Sequence, residues 1–474
     1  MRFTAISWTK HFRGGWPTAL RRLAEPASGL LRGSAMDKGA AGRMAVTTFA
    51  IRVGGAGLAY LSQIVLARLL GAHDYGIYSV AWTFLIILGA MMCGGFSSSV
   101  SRFIPQYLQK NDLDGLRGFL RVSRQVAVVL ATLAAVVGIA LVFLLRTEID
   151  SGYVQPLIVV LIALPFFSFG QVQDGIARSF DWPSLAMAPT YIWRPLVILS
   201  LIVLAAFAGW QTDALTATLA VVLATLLVAL YQHFHLHTRL AEKIPSGPRR
   251  TELKYWLAVS MPMVLVEGTL QLITSADVIM VSFFHDPDEV AVYFAASKTL
   301  ALVHFVYFAV RAASAHRFSG YLQNDDREGL ATYMRQATQW TFWPSVAAGA
   351  GLLLVAPLLL RMFGSEFASG YPLIALLMIG VLARASIGPA DALLTMTGHQ
   401  KSCAAIYSAT FLLNIVLNLI LIPLLGLAGA AIATSCAILF EATTLALTAK
   451  RKLDITTFVL LPLISTIRDR PDAP

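Results

Sequence analysis

The run VAVVLATLAAVVGIALVFLL at residues 126–145 decides the fold, because it holds no charged residue between Arg124 and Arg146. A helix of about twenty residues rises about 30 Å, which matches the hydrocarbon core of a bilayer. In lipid, only helices and closed barrels satisfy their own backbone hydrogen bonds. The apolar residues here are continuous and do not alternate, so the run predicts a membrane-spanning helix and not a barrel strand.

Similar apolar runs recur along the chain. The protein has 474 residues, of which 57% are hydrophobic and 13% charged, whereas about 25% of residues are charged in ordinary soluble domains. We therefore predict an all-α integral membrane protein with about twelve transmembrane helices. The predicted spans lie near residues 44–70, 77–101, 122–145, 154–177, 185–209, 213–234, 255–284, 289–312, 337–360, 370–394, 402–424 and 427–449.

The distribution of lysine and arginine agrees with this map. If the N-terminus is cytoplasmic, 29 of the 36 Lys and Arg residues fall in cytoplasmic loops and tails. The outer loops then hold two, Arg146 and Arg361. Positive residues collect in the cytoplasmic loops of membrane proteins. The pattern predicts an even number of spans with both termini in the cytoplasm.

The chain divides into two halves of six spans each. We predict a basic cytoplasmic tail at 1–43, an N-lobe at 44–238, a cytoplasmic linker at 239–254, a C-lobe at 255–449 and a second tail at 450–474. The halves are weakly alike: LGAHDYGIY at 70–78 parallels FHDPDEVAVY at 284–293, and DGIARSFD at 174–181 parallels DALLTMTG at 391–398. Repeats of six helices keep the same orientation, so the sequence predicts two pseudo-symmetric lobes related by an axis along the membrane normal.

Several function classes have little support. The formal net charge is +10, but the basic residues lie between apolar runs, where they set topology, so we expect no nucleic-acid partner. The three cysteines, Cys93, Cys403 and Cys436, lie in apolar runs without metal-ligand spacing, and we predict neither a metal nor a cofactor. No phosphate-binding GxxxxGK[ST] motif is present, so a gradient or the consumption of product must supply energy.

Ionisable and polar side chains inside the spans are the candidate functional residues. A charge at mid-span costs about 2.5–3.5 kcal/mol on insertion scales, so it needs a partner or a wet cavity. The candidates for substrate binding are Arg52, Arg194, Lys298, His304, Arg311, Arg384, Asn414 and Asn418. The candidates for ion coupling are the carboxylates Glu267, Asp277, Asp391 and Glu441. Pairing between helices and snorkelling at span ends are the alternatives to a functional role.

Helical spacing places some of these residues on shared faces. His304 and Arg311 are seven residues apart on span 8, and Arg384 shares a face with Asp391 on span 10. Tyr407, Thr410, Asn414 and Asn418 form a polar stripe on span 11. Such stripes predict a cavity wall, and for span 11 an interhelical hydrogen-bond seam is nearly as good an interpretation.

Three motifs resemble one known family. They are RLLGAHDYGIY at 68–78, TGHQK at 397–401, and the string from NIVLN at 414–418 through Ile422-Pro423 to GLAGAA at 426–431. They are similar to motifs of the polysaccharide transporter, or oligosaccharide flippase, family of the multidrug/oligosaccharidyl-lipid/polysaccharide exporter superfamily. The resemblance covers roughly residues 44–450 and leaves the N-terminal tail outside.

The resemblance implies two six-helix lobes around a central cavity and alternating access across a bacterial cytoplasmic membrane. It also implies export of undecaprenyl-diphosphate-linked oligosaccharide, coupled to H⁺ or Na⁺. The alternatives are a multidrug or toxin cation antiporter of the same superfamily, and a membrane glycan polymerase or ligase. An antiporter would have an acidic or apolar cavity. A polymerase or ligase would carry a large outer loop, whereas the predicted outer loops are short.

Overall fold

The computed structural model describes the backbone of residues 37–323 and 326–459. Residues 1–36 and 460–474, and with them most of the two predicted tails, lie outside the described residues. Within the described ranges the chain consists of helices joined by short connections, with no strand.

The first lobe contains seven helices and one π-helical turn. The helices are α1 (Asp37–Met92), α2 (Phe96–Gln109), α3 (Leu113–Leu144), α4 (Ser151–Ser179), α5 (Pro183–Ala188), α6 (Arg194–Phe207) and α7 (Ala214–Lys243), and the π-helical turn Pro189–Trp193 joins α5 to α6. Their boundaries follow capping chemistry in three places, where Asp112, Asp150 and Asp213 accept hydrogen bonds from backbone amides at the starts of α3, α4 and α7. Such caps satisfy amides that have no partner inside the helix.

The second lobe repeats this plan. Its helices are α8 (Leu253–Ser282), α9 (Pro287–Gln323), α10 (Arg327–Phe363), α11 (Tyr371–Ser386), α12 (Ala390–Met396), α13 (Gln400–Leu425) and α14 (Leu427–Leu453), with a 3₁₀ turn at Glu366–Gly370. Ten helical stretches of the described chain are long and apolar enough to cross a membrane. One of them, Ile51–Gln109, is 59 residues long and holds two crossings, and α8 adds another. The predicted twelve-helix, two-lobe membrane architecture is confirmed.

Helix α1 turns back on itself at Gly71. This residue has φ 79° and ψ 170°, outside the helical region, in a conformation that glycine adopts without steric cost. The Tyr75 hydroxyl donates to Oε1 of Gln63 at 3.0 Å, although the two residues are twelve positions apart. A straight helix would separate them by about 18 Å. The break therefore lies inside the predicted turn at 68–78 and divides α1 into the first two crossings.

The predicted continuous span at 370–394 is wrong in one respect. The chain leaves the helix at 387–389, where Gly388 has φ 56° and Pro389 precedes α12. Because the missing amide of proline and the left-handed glycine interrupt helical hydrogen bonding, Arg384 and Asp391 belong to different helices. They do not share one helix face as the spacing predicted, although both line the same cavity.

The lobes meet most closely at the end of the molecule that carries Gly71 and Pro287, here called the distal face. The His73 ring approaches the Asp288 carboxylate at 3.2 Å, and the Arg68 guanidinium donates to the Arg361 and Met362 carbonyls at 2.7 and 2.8 Å. The Tyr75 ring packs against aromatic rings of the C-lobe at Phe294, Phe363 and Phe367. These contacts close the space between the lobes at the distal face.

The closest approach at the distal face depends on Gly76. A Cβ atom at this position would lie 1.8 Å from the carbonyl oxygen of Pro287. We expect Gly76→Ala to separate the lobes there and to destabilise the fold by about 1–3 kcal/mol, as overpacking does. Gly57→Ala is the matched control, because nothing lies within 4 Å of its Cβ position. The control should gain about 0.5–1 kcal/mol from helix propensity. Thermal unfolding in detergent measures both, and equal effects would contradict the packing argument.

The connection between the lobes is fixed at the opposite end, here called the linker face. The Arg117 side chain donates to the carbonyls of Pro245 and Pro248 at 2.8 and 3.1 Å. The Arg250 guanidinium bonds the carboxylates of Asp112 and Glu252. Beyond this clamp, the buried Trp256 indole donates to the Tyr107 hydroxyl at 2.8 Å. The linker and the start of α8 therefore dock on α2 and α3 of the N-lobe.

The Asp112–Arg250 pair makes linker docking sensitive to pH. The Arg250 guanidinium, with the Gly115 amide, lowers the pKa of the Asp112 carboxyl. A lowered pKa means that the ionised carboxyl stabilises the docked linker above about pH 4, and that this contribution is lost as the pH falls further. A spin label at the exposed Ser246, with the exposed Cys436 replaced by serine, should gain mobility below about pH 4.

Asp112→Asn keeps a side chain that can cap α3 but removes the ion pair. In this variant we expect the label to be mobile at every pH. Mobility that follows the parent protein across the whole titration would contradict the role of the pair.

Candidate functional site

A cavity lies between the two lobes and has three connected parts. The chamber has a volume of about 370 Å³ and is lined by α1, α4, the π-helical turn, α6 and α9. The vestibule, about 410 Å³, is lined by residues that include Arg178, Arg311 and Arg384. The recess, about 380 Å³, lies on the C-lobe side, around Asp277 and His304. The parts share lining residues, since Gln171 joins chamber to vestibule, Lys298 joins chamber to recess and Arg384 joins vestibule to recess.

The chamber receives one cation from each lobe. Arg194 begins α6 in the N-lobe, and its guanidinium lies 4.7 Å from the centre of the Phe167 ring. Lys298 lies on α9, with its ammonium 4.6 Å from the centre of the Phe294 ring. Aromatic faces attract cations in this arrangement. The rest of the chamber wall is largely apolar and aromatic, with Tyr60, Tyr78, Trp82, Tyr191 and Phe305.

Each chamber cation has a buried carboxylate nearby without a direct ion pair. Asp277 accepts hydrogen bonds from the Tyr293 hydroxyl at 2.6 Å, the Thr434 hydroxyl at 3.3 Å and the Val278 amide at 3.0 Å. It interacts electrostatically with Lys298. In the N-lobe, Asp174 holds the same relation to Arg194. Neither carboxylate makes an ion pair with Lys or Arg in the described part of the chain.

The other two coupling candidates are held by arginine. Asp391 accepts from Arg311 Nε at 2.6 Å, from the Tyr307 hydroxyl at 2.8 Å and from the Tyr407 hydroxyl at 3.2 Å. Glu441 receives Arg384 Nη2 at 2.6 Å from both carboxylate oxygens. Charge-assisted bonds of this kind are among the strongest in proteins. The C-lobe therefore neutralises two of its buried carboxylates internally.

The asparagines of the span 11 stripe lie in a seam between helices. Asn414 and Asn418 on α13 are buried, at 1% and 0% exposure. Asn418 donates to Oδ1 of Asn414 at 3.1 Å, and Asn414 donates to the Thr434 hydroxyl at 3.3 Å. Since Thr434 donates in turn to Asp277, the seam ends on that carboxylate and not in the open chamber.

The remaining predicted residues are more scattered. His304 lines the recess beside Arg384. Arg52 of α1 has a buried Nε without a hydrogen-bond partner and is not among the lining residues of the three parts of the cavity. The side chain of Glu267 lies outside the described residues, and its ion-coupling role stays a prediction.

Sequence reasoning missed the neutral partners of the carboxylates. Tyr293, Thr434, Thr190 and Gln232 supply hydrogen bonds to Asp277 or Asp174, and none was predicted as a site residue. Asp174 itself was noted in the repeat DGIARSFD at 174–181, but its place at a span end hid its burial. The repeat was the available signal, because it matches the buried Asp391 in the other half.

The Arg384–Glu441 pair should matter for stability as well as for cavity charge. Removing one partner of a buried pair leaves an uncompensated charge, at a cost of about 3–5 kcal/mol. We expect Arg384→Ala to lose that much in unfolding by denaturing detergent, and the double variant Arg384→Leu/Glu441→Leu to recover most of it. Arg335→Ala, at an exposed position, should stay within about 0.5 kcal/mol. A double variant as unstable as the single one would contradict this account.

Comparisons with known proteins agree with this architecture. A family model described as polysaccharide biosynthesis protein matches residues 42–315, and a second, described as MatE, matches residues 262–420. No curated protein matches the chain by sequence.

Solved structures show the same fold at low sequence identity. An inward-facing multidrug resistance MATE family transporter of the MOP superfamily aligns with a TM-score of 0.71 and 17% identity, over 84% of this chain and 94% of that one. The lipid II flippase MurJ, in an inward closed conformation, aligns with a TM-score of 0.68 and 15% identity, over 90% and 94%. A MOP superfamily transporter from Pyrococcus furiosus aligns with a TM-score of 0.59 and 17% identity, over 90% and 97%. Because the first family model covers more than half of its length, this chain belongs to the polysaccharide biosynthesis protein family, and it has the MATE-like fold of the MOP superfamily.

Proposed function

We propose that the protein is a flippase that moves undecaprenyl-diphosphate-linked oligosaccharide across the bacterial cytoplasmic membrane for cell-surface polysaccharide synthesis. The observation that carries the proposal is the pair of chamber cations, Arg194 and Lys298, one from each lobe. Neither has a direct carboxylate partner among the described residues, so both remain available to an anion. A diphosphate is such an anion, and guanidinium and ammonium groups are its usual ligands.

The arrangement of contacts supports alternating access. The lobes are joined closely at the distal face by Gly76–Pro287 and Arg68–Met362, while the vestibule with Arg178 and Arg311 lies toward the linker face. A substrate held by one cation from each lobe would be released when the lobes separate. The basic linker places the linker face in the cytoplasm by the positive-inside rule, and lipid-linked substrate then enters from the inner leaflet.

We further propose that Asp277 carries the coupling to H⁺ or Na⁺. Asp391 and Glu441 are already held by Arg311 and Arg384, so an incoming cation would have to displace an arginine there. Asp277 is held by hydroxyl and amide groups, and it lines the recess. A carboxylate surrounded by neutral oxygen-bearing groups can take up a proton or a small cation at lower cost.

The alternative functions fit the cavity less well. A cation antiporter would need a cavity that attracts positive charge, whereas Arg194, Lys298 and Arg311 contribute positive groups here. A glycan polymerase or ligase would need a catalytic outer domain. The described connections at the distal face, such as 145–150 and 208–213, are short, which supports transport without catalysis.

The test is transport of a fluorescent prenyl-diphospho-oligosaccharide in liposomes that contain the purified protein. We expect Arg194→Ala and Lys298→Ala each to slow translocation by about tenfold or more, since a charge-assisted hydrogen bond contributes about 1.5–3 kcal/mol. Lys254→Ala, at an exposed linker-face position, is the control and should transport like the parent.

Asp277→Asn should still carry the substrate down its own gradient but lose acceleration by an imposed ion gradient. Transport of an organic cation in place of the glycolipid would establish the antiporter instead. Unchanged translocation in both chamber-cation variants would refute the proposed binding site.

A further inference from the structure

The two copies of the internal repeat place an aspartate at equivalent positions with different partners. Asp391 begins the C-lobe copy and is paired with Arg311 at 2.6 Å. Asp174 begins the N-lobe copy and is equally buried, at 5% exposure against 3% for Asp391. No arginine or lysine within the described chain makes an ion pair with Asp174. The repeat thus conserves the burial of a carboxylate and not its neutralisation.

Neutral groups hold the Asp174 carboxylate. Oδ2 accepts from the Thr190 hydroxyl at 2.7 Å, and Oδ1 accepts from the Gln232 amide at 2.6 Å. Such hydrogen bonds can serve either protonation state of the carboxyl, since hydroxyl and amide groups can also rotate to accept a proton. A buried carboxylate without a paired cation is expensive, and in membrane proteins it marks proton sites more often than surface carboxylates do.

The charged groups around Asp174 come from three helices. Arg194 of α6 and Arg178 of α4 act on it electrostatically. On α7, next to Gln232, the ring of His233 packs against Phe169 of α4 at 5.4 Å and is itself close to Arg124 of α3. Helix α2 meets α4 at Gly175 through the backbone of Ser97 and the side chain of Val100, which carry no charge. Arg194 is the charged group of this set that lines the chamber.

A short covalent path links Asp174 to that chamber cation. Its partner Thr190 belongs to the π-helical turn Pro189–Trp193, and Arg194 follows the turn directly. A π-helical turn inside an α-helix is rare and is frequent at functional sites. The hydrogen bond from Thr190 to Asp174 therefore positions the segment that presents Arg194 to the chamber.

We infer that Asp174 is a proton-binding site of the N-lobe and that its ionised form acts as a switchable counter-ion of Arg194. With the proton absent, the carboxylate attracts the guanidinium and offsets its charge in the chamber. With the proton bound, Arg194 keeps its full charge for an anionic ligand. Because coupling between two binding events is reciprocal, an anion at Arg194 favours proton uptake at Asp174. The inference rests on the proposed anionic substrate, and it adds an N-lobe proton site to the coupling site at Asp277.

Infrared difference spectroscopy of the detergent-solubilised protein tests the proton site without any ligand. Between about pH 5 and pH 9, a range that spans perturbed carboxyl groups, we expect the carbonyl band of a protonated buried carboxylic acid to titrate. The band assigned to Asp174 should be missing in Asp174→Asn and present in Asp277→Asn. Absence of any band that depends on Asp174 would overturn the inference, whatever the transport assay shows.

Ligand affinity tests the counter-ion role. The probe is a short-chain prenyl-diphospho-hexose, whose phosphates are both esterified and do not titrate near neutral pH. We expect its affinity for the parent protein to fall by about tenfold from acid to alkaline pH, and to stay at the acid-side value in Asp174→Asn. Asp181→Asn is the matched control, because Asp181 ends the same motif at an exposed position and should keep the pH dependence. Parallel pH profiles for Asp174→Asn and Asp181→Asn would overturn the counter-ion role.

Two further outcomes separate this inference from the proposed function. A titrating Asp174 band in a protein that binds the probe at no pH would support the proton site and reject the anionic substrate. If Asp174→Asn does not fold, Arg194→Met provides the second variant. Loss of the nearby cation should move the titration of the Asp174 band to higher pH, and an unmoved midpoint would overturn the pairing.

Discussion

A charge in the hydrocarbon region of a bilayer costs about 2.5–3.5 kcal/mol on insertion scales unless a partner or water compensates it. This constraint organises the interior of the molecule. Arg384 and Arg311 are compensated directly, by Glu441 and Asp391. Arg194 and Lys298 instead lie against aromatic rings and face a cavity. The protein thus separates cations that hold helices together from cations that remain available to a ligand.

The two lobes solve the same problem differently. In the C-lobe, helices α9, α11, α12 and α14 carry two compensated pairs, and the polar seam of α13 ends on Asp277. In the N-lobe, Asp174 is held by Thr190 and Gln232 alone among its hydrogen-bond donors. Pseudo-symmetry in the backbone therefore coexists with asymmetry in charge. An asymmetric arrangement gives each lobe its own response to ions while both contribute to one cavity.

Closure at the distal face and docking at the linker face rely on different chemistry. The distal contacts are aromatic and backbone packing around Tyr75 and Gly76, which are insensitive to pH and salt. The linker contacts are ion pairs around Arg250 and carbonyl bonds to Arg117, which solvent screens. Movement of the lobes about the chamber would therefore break apolar contacts on one face and leave the connection on the other face attached to the N-lobe.

The sequence determined the membrane class, the twelve crossings, the two halves and the turn around Gly71, because hydrophobic length and positive-inside charge act locally along the chain. It also identified most of the buried ionisable residues, since each is conspicuous in an apolar run. It did not determine which cation meets which carboxylate. Arg384 pairs with Glu441 across 57 positions, and Arg311 with Asp391 across 80. Partners, and hence the charges left free in the cavity, depend on how distant helices pack, which the tertiary structure alone decides.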